Sequence, residues 1–499
     1  ETPAAPRRMR PRLLVLRRNS SCSSARKAGG SVETGVEKLL GLLHRDETPV
    51  LSLDISPAGD RLASAGQDGT VRLWGLARGA ASGPVACKWL ATLEEHGAPV
   101  NCVRWAPDGG LIASADADAA LAVWAPGLGE LHAALRSASK LGAEAWHRRW
   151  MLRGHRAEIC DLSWHPGDCP RLALASCSHD GRIYLWDLRT GQATVQLCAP
   201  GGGLVKGVAF DPLGRHLAAM VDAPGAANQV RALVWECPDD ESISEGDATA
   251  GWKLSRVCEE PWTDPAPLAT AVYSRRPAWD PLGQLLCFPY GEKMRHGIST
   301  PRYFAALFKR GEWESPQLYR GHTQRVSIAR FAPLVFGAAG NVAEASVVFA
   351  MASQDGVVSV WLSSHPAPLA VLADLVDDNC SITDVSWAPD GSALAFASTD
   401  GTVGWLRFNW QGILDGRGGW SPSDVDAWRR TEHLSFNQPL WQVPASAECL
   451  PAQDPRILRE SDARPRAGKR DPQEAPLPES HGEPRRRVRP RLVSKCWEE

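Results

Sequence analysis

Two histidines stand where acid–base chemistry is conceivable. Gly154-His155 precedes Asp180 and Trp186, and Gly321-His322 precedes Asp355 and Trp361. A histidine beside a carboxylate is the raw material of a general acid–base pair. The same pair, repeated ahead of a Trp each time, fits a buried polar network better, because buried polar groups must find partners. Other catalytic signatures are missing from the sequence. The 13 cysteines are scattered from Cys22 to Cys496 with no Cys-x-x-Cys, and with the 13 histidines they form no metal-ligand spacing. Gly201-Gly202-Gly203 lacks the Lys-Ser/Thr of a phosphate-cradling loop, and no Gly-x-Ser-x-Gly elbow occurs. Nothing here points to an enzyme or asks for a cofactor.

What positions these residues is a recurring phrase. A small-residue strand is followed by Asp, with or without Gly, and then by an alternating strand ending in Trp. Its clearest copy is Leu62-Ala63-Ser64-Ala65-Gly66-Gln67-Asp68-Gly69-Thr70-Val71-Arg72-Leu73-Trp74. It returns at 112–124, 174–186, 348–361 and, weaker, at 394–405. The Asp markers Asp68, Asp118, Asp180, Asp222, Asp355 and Asp400 lie 50, 62, 42, 133 and 45 residues apart. Four-stranded propeller blades repeat at about 40–45 residues plus insertions. The longest gap therefore holds one blade that has lost its Asp, around Trp279-Asp280-Pro281-Leu282-Gly283.

The expectation is an all-β, seven-bladed WD-repeat propeller with blades near 44–74, 96–124, 155–186, 204–235, 273–308, 322–361 and 381–408. Pro57-Ala58-Gly59, Pro107-Asp108-Gly109, Pro212-Leu213-Gly214 and Pro389-Asp390-Gly391 read as β-turns, since Pro presets φ and Gly accepts φ > 0. Residues 36–43 are the natural donor of the last blade's outer strand, which would close the ring and hide its edges. Insertions are expected between blades at 127–142 and 238–249, and within the sixth blade at 337–345.

The ring accounts for 36–410. Residues 1–35 form a basic leader read as disordered, with an organelle transit peptide as the alternative. Residues 411–499 are rich in Pro, Arg and Glu and read as a mostly disordered, basic tail. The net charge of −2 gives no general reason to bind nucleic acid, which leaves direct DNA contact undecided. No apolar run approaches the roughly 18 residues needed to span a membrane. Scattered single cysteines suit a reducing compartment.

Within the tail, Arg485-Arg486-Arg487-Val488-Arg489-Pro490-Arg491-Leu492-Val493 interleaves arginines with apolar residues. Such a run can be a nuclear-import signal, a nucleic-acid patch or a solvated stretch. Its alternation and central Pro also suit a peptide that adds a strand to a partner's sheet edge.

Several stretches resemble a family. They include Val100-Asn101-Cys102-Val103-Arg104-Trp105, Leu204-Val205-Lys206-Gly207, Gly311-Glu312-Trp313 and Ser359-Val360-Trp361-Leu362 with Pro368-Leu369. Over about 36–410 the chain resembles the HIRA histone chaperones, with the medium WD-repeat subunit of chromatin assembly factor as a close relative. The resemblance implies a nuclear, non-enzymatic scaffold in nucleosome assembly and transcriptional regulation. Its partners would be core histones, other assembly subunits and the anti-silencing histone chaperone. That chaperone would bind Arg485, Arg486, Arg487, Val488 and Pro490; Arg489 stands where Thr or Ala is commoner in the family's motif. In WD-repeat proteins, His155 with Asp180 and Trp186, and His322 with Asp355 and Trp361, would be structural networks. Trp186, Asp187 and Arg189 also resemble the box that docks a cullin ubiquitin-ligase adaptor, or else an ordinary repeat ending.

Overall fold

The computed structural model describes residues 44, 48–77, 86–127, 144–167, 174–222, 230–237, 251–259, 274–295, 298–336, 345–408 and 410, with short strands at 14–16, 36–38 and 419–420. Seven antiparallel sheets follow one another along the chain. Blade one is Val50–Ile55, Arg61–Gly66, Val71–Ala77 and Ala86–Leu93, in spatial order. Blades two to five repeat that meander over 100–153, 159–198, 204–258 and 278–320. Blade six starts at Val326–Phe336 and blade seven at Ile382–Trp387. The first strand of each blade is the inner one, packed against the first strand of the next.

The ring closes in an antiparallel sheet built from both ends of the propeller. Val36–Lys38 pairs antiparallel with Val403–Arg407, in the register Val36↔Leu406, and so supplies the fourth strand of blade seven. Closure removes two strand edges that would otherwise be open to pairing. At the same seam, Leu53 N–H donates to Asp384 (3.3 Å) and Ile55 N–H to Ser386 (3.1 Å), joining blades one and seven.

The core lies between blades rather than inside one. Ala63 and Ala65 of blade one pack with Leu90, Val100, Trp105 and Trp124, which come from blades one and two. Ala395 and Ala397 of blade seven pack with Leu62 and Trp74 of blade one in the same way. Small residues on each second strand leave room for a neighbour's large ring. The repeated phrase therefore reads as packing, since close-packed layers need small opposite large.

Three expectations change. Stretches 127–142 and 238–249 are not between blades. They fall between the third and fourth strands of blades two and four, because the outer strands Trp146–Arg153 and Lys253–Cys258 come after them. Blade limits drawn at the Trp leave out this outer strand, which carries no phrase. In blade two the turn carboxylate is Asp116, since Asp118 is exposed. Asp222 holds no turn histidine and instead pairs with Arg275. Blade five contains Leu285–Arg295 and Ile298–Lys309, a long hairpin in place of the Asp turn.

Candidate functional site

Among the described residues, four blades carry the same side-chain relay. In blade three, His155 Nδ1 meets Asp180 at 3.0 Å and its Nε2 meets Ser176 Oγ at 2.8 Å, while Trp186 Nε1 donates to that Oγ at 2.8 Å. Blade six joins His322, Asp355, Ser359 and Trp361, with Ser359 Oγ 2.7 Å from both His322 Nε2 and Trp361 Nε1. Two relays were missed in the sequence because no Gly precedes the histidine. They are His44–Asp68–Ser64–Trp74 and His96–Asp116–Ser114–Trp124. A usable signal was present: in blades one to three the Ser lies ten residues before the Trp.

Asp–His–Ser is the connectivity of a hydrolase triad, so its chemistry needs testing against the geometry. Ser64, Ser114, Ser176 and Ser359 are at most 2% exposed. Each hydroxyl accepts an indole N–H, so no substrate can approach it. Burial pushes the Asp68, Asp180 and Asp355 carboxyls up, but hydrogen bonds from their histidines and turn amides outweigh it and hold all three below the usual range. These groups fix turns and orient Trp rings.

A second assembly sits where the inner strands converge. Asp384 Oδ2 accepts from Arg104 Nη1 (2.8 Å) and Ser52 Oγ (2.6 Å), and lies 2.7 Å from Arg276 Nη1. Asp161 Oδ1 lies 3.3 Å from Arg276 Nε and 3.5 Å from Arg104 Nη2, and Arg330 lies 3.9 Å from Asp384. Arg276 and both carboxylates are at most 1% exposed. Burial raises the Asp384 carboxyl, yet the three guanidinium groups hold it well below the ordinary range. The same burial pulls Arg330 down. The cluster ties blades one, two, three, five, six and seven together at the axis. Its charges are buried and paired with one another.

A third cluster spans blades three to five. Lys206 Nζ is 2.6 Å from His179 Nε2, His179 meets Glu158, and Arg275 pairs with Asp222 while lying 3.6 Å over the Tyr290 ring. Burial pulls the Lys206 ammonium down. In the Trp186-Asp187-Leu188-Arg189 turn, Asp187 is buried, and its carboxylate accepts from Arg189 N–H at 2.7 Å and lies 3.0 Å from Arg189 Nη2. The Arg189 side chain is 53% exposed but folded back onto that carboxylate. Arg485, Arg486, Arg487, Val488 and Pro490 lie outside the described residues.

A closed ring of seven blades, four of them holding a sealed histidine relay, defines a WD-repeat β-propeller. Residues 42–413 match the model of the CAF1B/HIR1 beta-propeller domain, and the chain belongs to that family. It is 30% identical over 360 residues to Protein HIR1 of Mycosarcoma maydis, covering 71% of this chain and 32% of that protein. Protein HIR1 of Kluyveromyces lactis is 30% identical over 397 residues, covering 74% of this chain and 43% of that protein. Protein HIRA of Oryza sativa subsp. japonica is 30% identical over 384 residues, covering 72% and 36%. The chain thus spans between about a third and two fifths of the length of these relatives.

Proposed function

We propose that this chain is a HIRA-like WD-repeat scaffold in replication-independent nucleosome assembly and transcriptional regulation, acting in the nucleus without chemistry of its own. The observation that carries this reading is membership of the CAF1B/HIR1 propeller family across 42–413. The sealed hydroxyls of the four relays support a non-enzymatic ring. Core histones and other assembly subunits are its proposed partners. The tail peptide, with Val488 and Pro490 as apolar anchors and Arg485 to Arg487 facing an acidic surface, recruits the anti-silencing histone chaperone by strand addition.

The test is calorimetry of a 478–499 peptide with that chaperone. Binding no tighter than a scrambled control removes the tail assignment. Affinity purification from nuclei, read by mass spectrometry, separates this reading from the replication-coupled chromatin assembly factor, whose medium subunit shares the family. A ligase-adaptor role for Trp186, Asp187 and Arg189 is disfavoured by the burial of Asp187 and its pairing with Arg189. Co-purification of that adaptor, lost in Arg189→Ala, would restore it.

A further inference from the structure

The hairpin of blade five is longer than its place in the blade requires. Its first strand, Leu285–Arg295, has 11 residues, against 6 in the matching strand Arg61–Gly66 of blade one. Both start from the same turn, closed by Ser56 N–H to the Arg61 carbonyl in one and by Asp280 N–H to the Leu285 carbonyl in the other. The surplus from Gly291 onwards pairs with Ile298–Phe304 beyond the level of the Asp turns. At about 3.3 Å per residue, the surplus adds roughly 16 Å of two-stranded ribbon.

The two faces of the ribbon differ. Phe304 packs with Met220 and Val234 of blade four, while Ala305 and Leu307 pack with Val326 of blade six. Strand side chains alternate, which puts Tyr303 on the blade-six face and Arg302 on the blade-four face. The blade-six face is braced. Arg325 Nε lies 2.9 Å from Glu292, and its guanidinium is 5.6 Å from the Tyr290 ring and 5.8 Å from the Tyr303 ring. Tyr290 is held at φ = 74°, a left-handed conformation unfavourable for a bulky residue, with Arg275 stacked 3.6 Å over its ring. These contacts fix the base of the ribbon.

The blade-four face is cationic. Residues 293–302 include Lys293, Arg295 and Arg302 and no Asp or Glu. The register sets Lys293 directly opposite Arg302. Like charges directly opposite destabilise a strand pair. Arg302 is exposed and forms no ion pair among the described residues. The carboxylates at the base, Glu292 and Asp222, are already engaged by Arg325 and Arg275. A carboxylate brought from outside and seated between Lys293 and Arg302 turns a repulsive pair into an attractive one.

We propose that the blade-five ribbon is a docking arm for an acidic, extended segment of a partner protein, received on its blade-four face through Lys293 and Arg302. Duplex DNA fits this face less well. It is commonly gripped through about 6–10 phosphate contacts, more than this ribbon's three cations supply. The same side of the ring also carries exposed Asp377 and Asp378 beside the Asp400 turn, which would repel a duplex laid across it. The proposal is independent of the tail reading given above.

The test is carbodiimide coupling of the full chain to an octaglutamate peptide, which joins a lysine amine to a carboxylate held against it, with tryptic peptides read by mass spectrometry. Lys88 and Lys253 are exposed on the outer strands of blades one and four and serve as references. Lys293 should couple about tenfold more than either, the factor that two exposed ion pairs supply. Arg302→Gln should cut that coupling about threefold, the share of one such pair. Arg302→Glu, which puts a carboxylate opposite Lys293 within the chain, should abolish it. Arg302 is exposed, so both variants are expected to melt with the unsubstituted chain. Equal coupling at the three lysines overturns the docking arm, as does coupling at Lys293 that ignores Arg302→Gln. Protection of Lys293 by a short DNA duplex at a lower concentration than by uncoupled peptide assigns the ribbon to nucleic acid and overturns the acidic-segment proposal. None of these outcomes bears on the tail peptide.

Discussion

Asp384→Asn is the perturbation on which the axial cluster stands or falls. The side chain keeps its size and loses its charge. Arg104 at 2.8 Å and Arg276 at 2.7 Å then face a neutral amide, and Arg330 loses a carboxylate 3.9 Å away. Among the described residues, Asp161 is left as the one fully buried carboxylate ion-paired to these arginines. Hydrogen bonds to charged groups contribute about 1.5–3 kcal/mol each. Stripping one partner from a buried pair costs about 3–5 kcal/mol, mostly because a charge is left uncompensated. Two guanidinium contacts put the expected loss in that range. With unfolding entropy of about 2.1 cal/mol/K per residue over a ring of roughly 370 residues, Tm should fall by about 4–6 °C. Differential scanning calorimetry reads the Tm and urea titration reads the free energy. The double variant Asp384→Asn with Arg276→Met should lose less than the single one, because it also removes one of the orphaned charges. A single-variant loss under ~1 kcal/mol, against the range expected for a buried pair, would refute the reasoning. So would a double variant no more stable than the single.

Asp116→Ala should cost about 1–3 kcal/mol, since it strips His96 and two turn amides of their acceptor, while exposed Asp118→Ala stays within about 0.5 kcal/mol; urea midpoints separate the two. Ala119 holds φ = 60° in the turn where blades one and three use Gly69 and Gly181, so Ala119→Gly should stabilise by about 1 kcal/mol, read in the same titration. Asp68, Asp180, Asp355 and Asp384 all have depressed carboxyl pKa values in the fold. Their stabilisation is fully present above the unfolded value, about 3.9, and is lost as pH falls through the folded values. Stability should therefore drop steeply below about pH 4, and the Asp384→Asn variant should show a shallower acid slope by circular dichroism.

Much of the fold was legible because its signals are local. A Trp closing an alternating strand, an Asp-Gly turn and a Pro-x-Gly turn each act over a dozen residues, so blade count survived the loss of one Asp. The outer strands were illegible for the opposite reason. Trp146–Arg153 and Lys253–Cys258 each face solvent along one edge, so their residues alternate weakly and nothing marks them as belonging to the blade before them. The insertions in front of them therefore looked like links between blades. Of the relays, His155 and His322 were visible through the Gly-His pair. His44 and His96 emerged only when the fold brought each to its Ser and Asp.

The sequence by itself determined a repeating all-β ring, because strand, turn and Trp recur along the chain, while stretches such as Ser359-Val360-Trp361-Leu362 carried its resemblance to a family. Only the tertiary structure decided what lies on the axis. Arg104 and Asp384 are 280 positions apart, and Arg276 stands far from both. No spacing rule links residues at such distances. They meet because seven inner strands converge once the strand Val36–Lys38 has closed the circle. Burial then makes each charge depend on the others, a property of the closed ring that no single blade possesses.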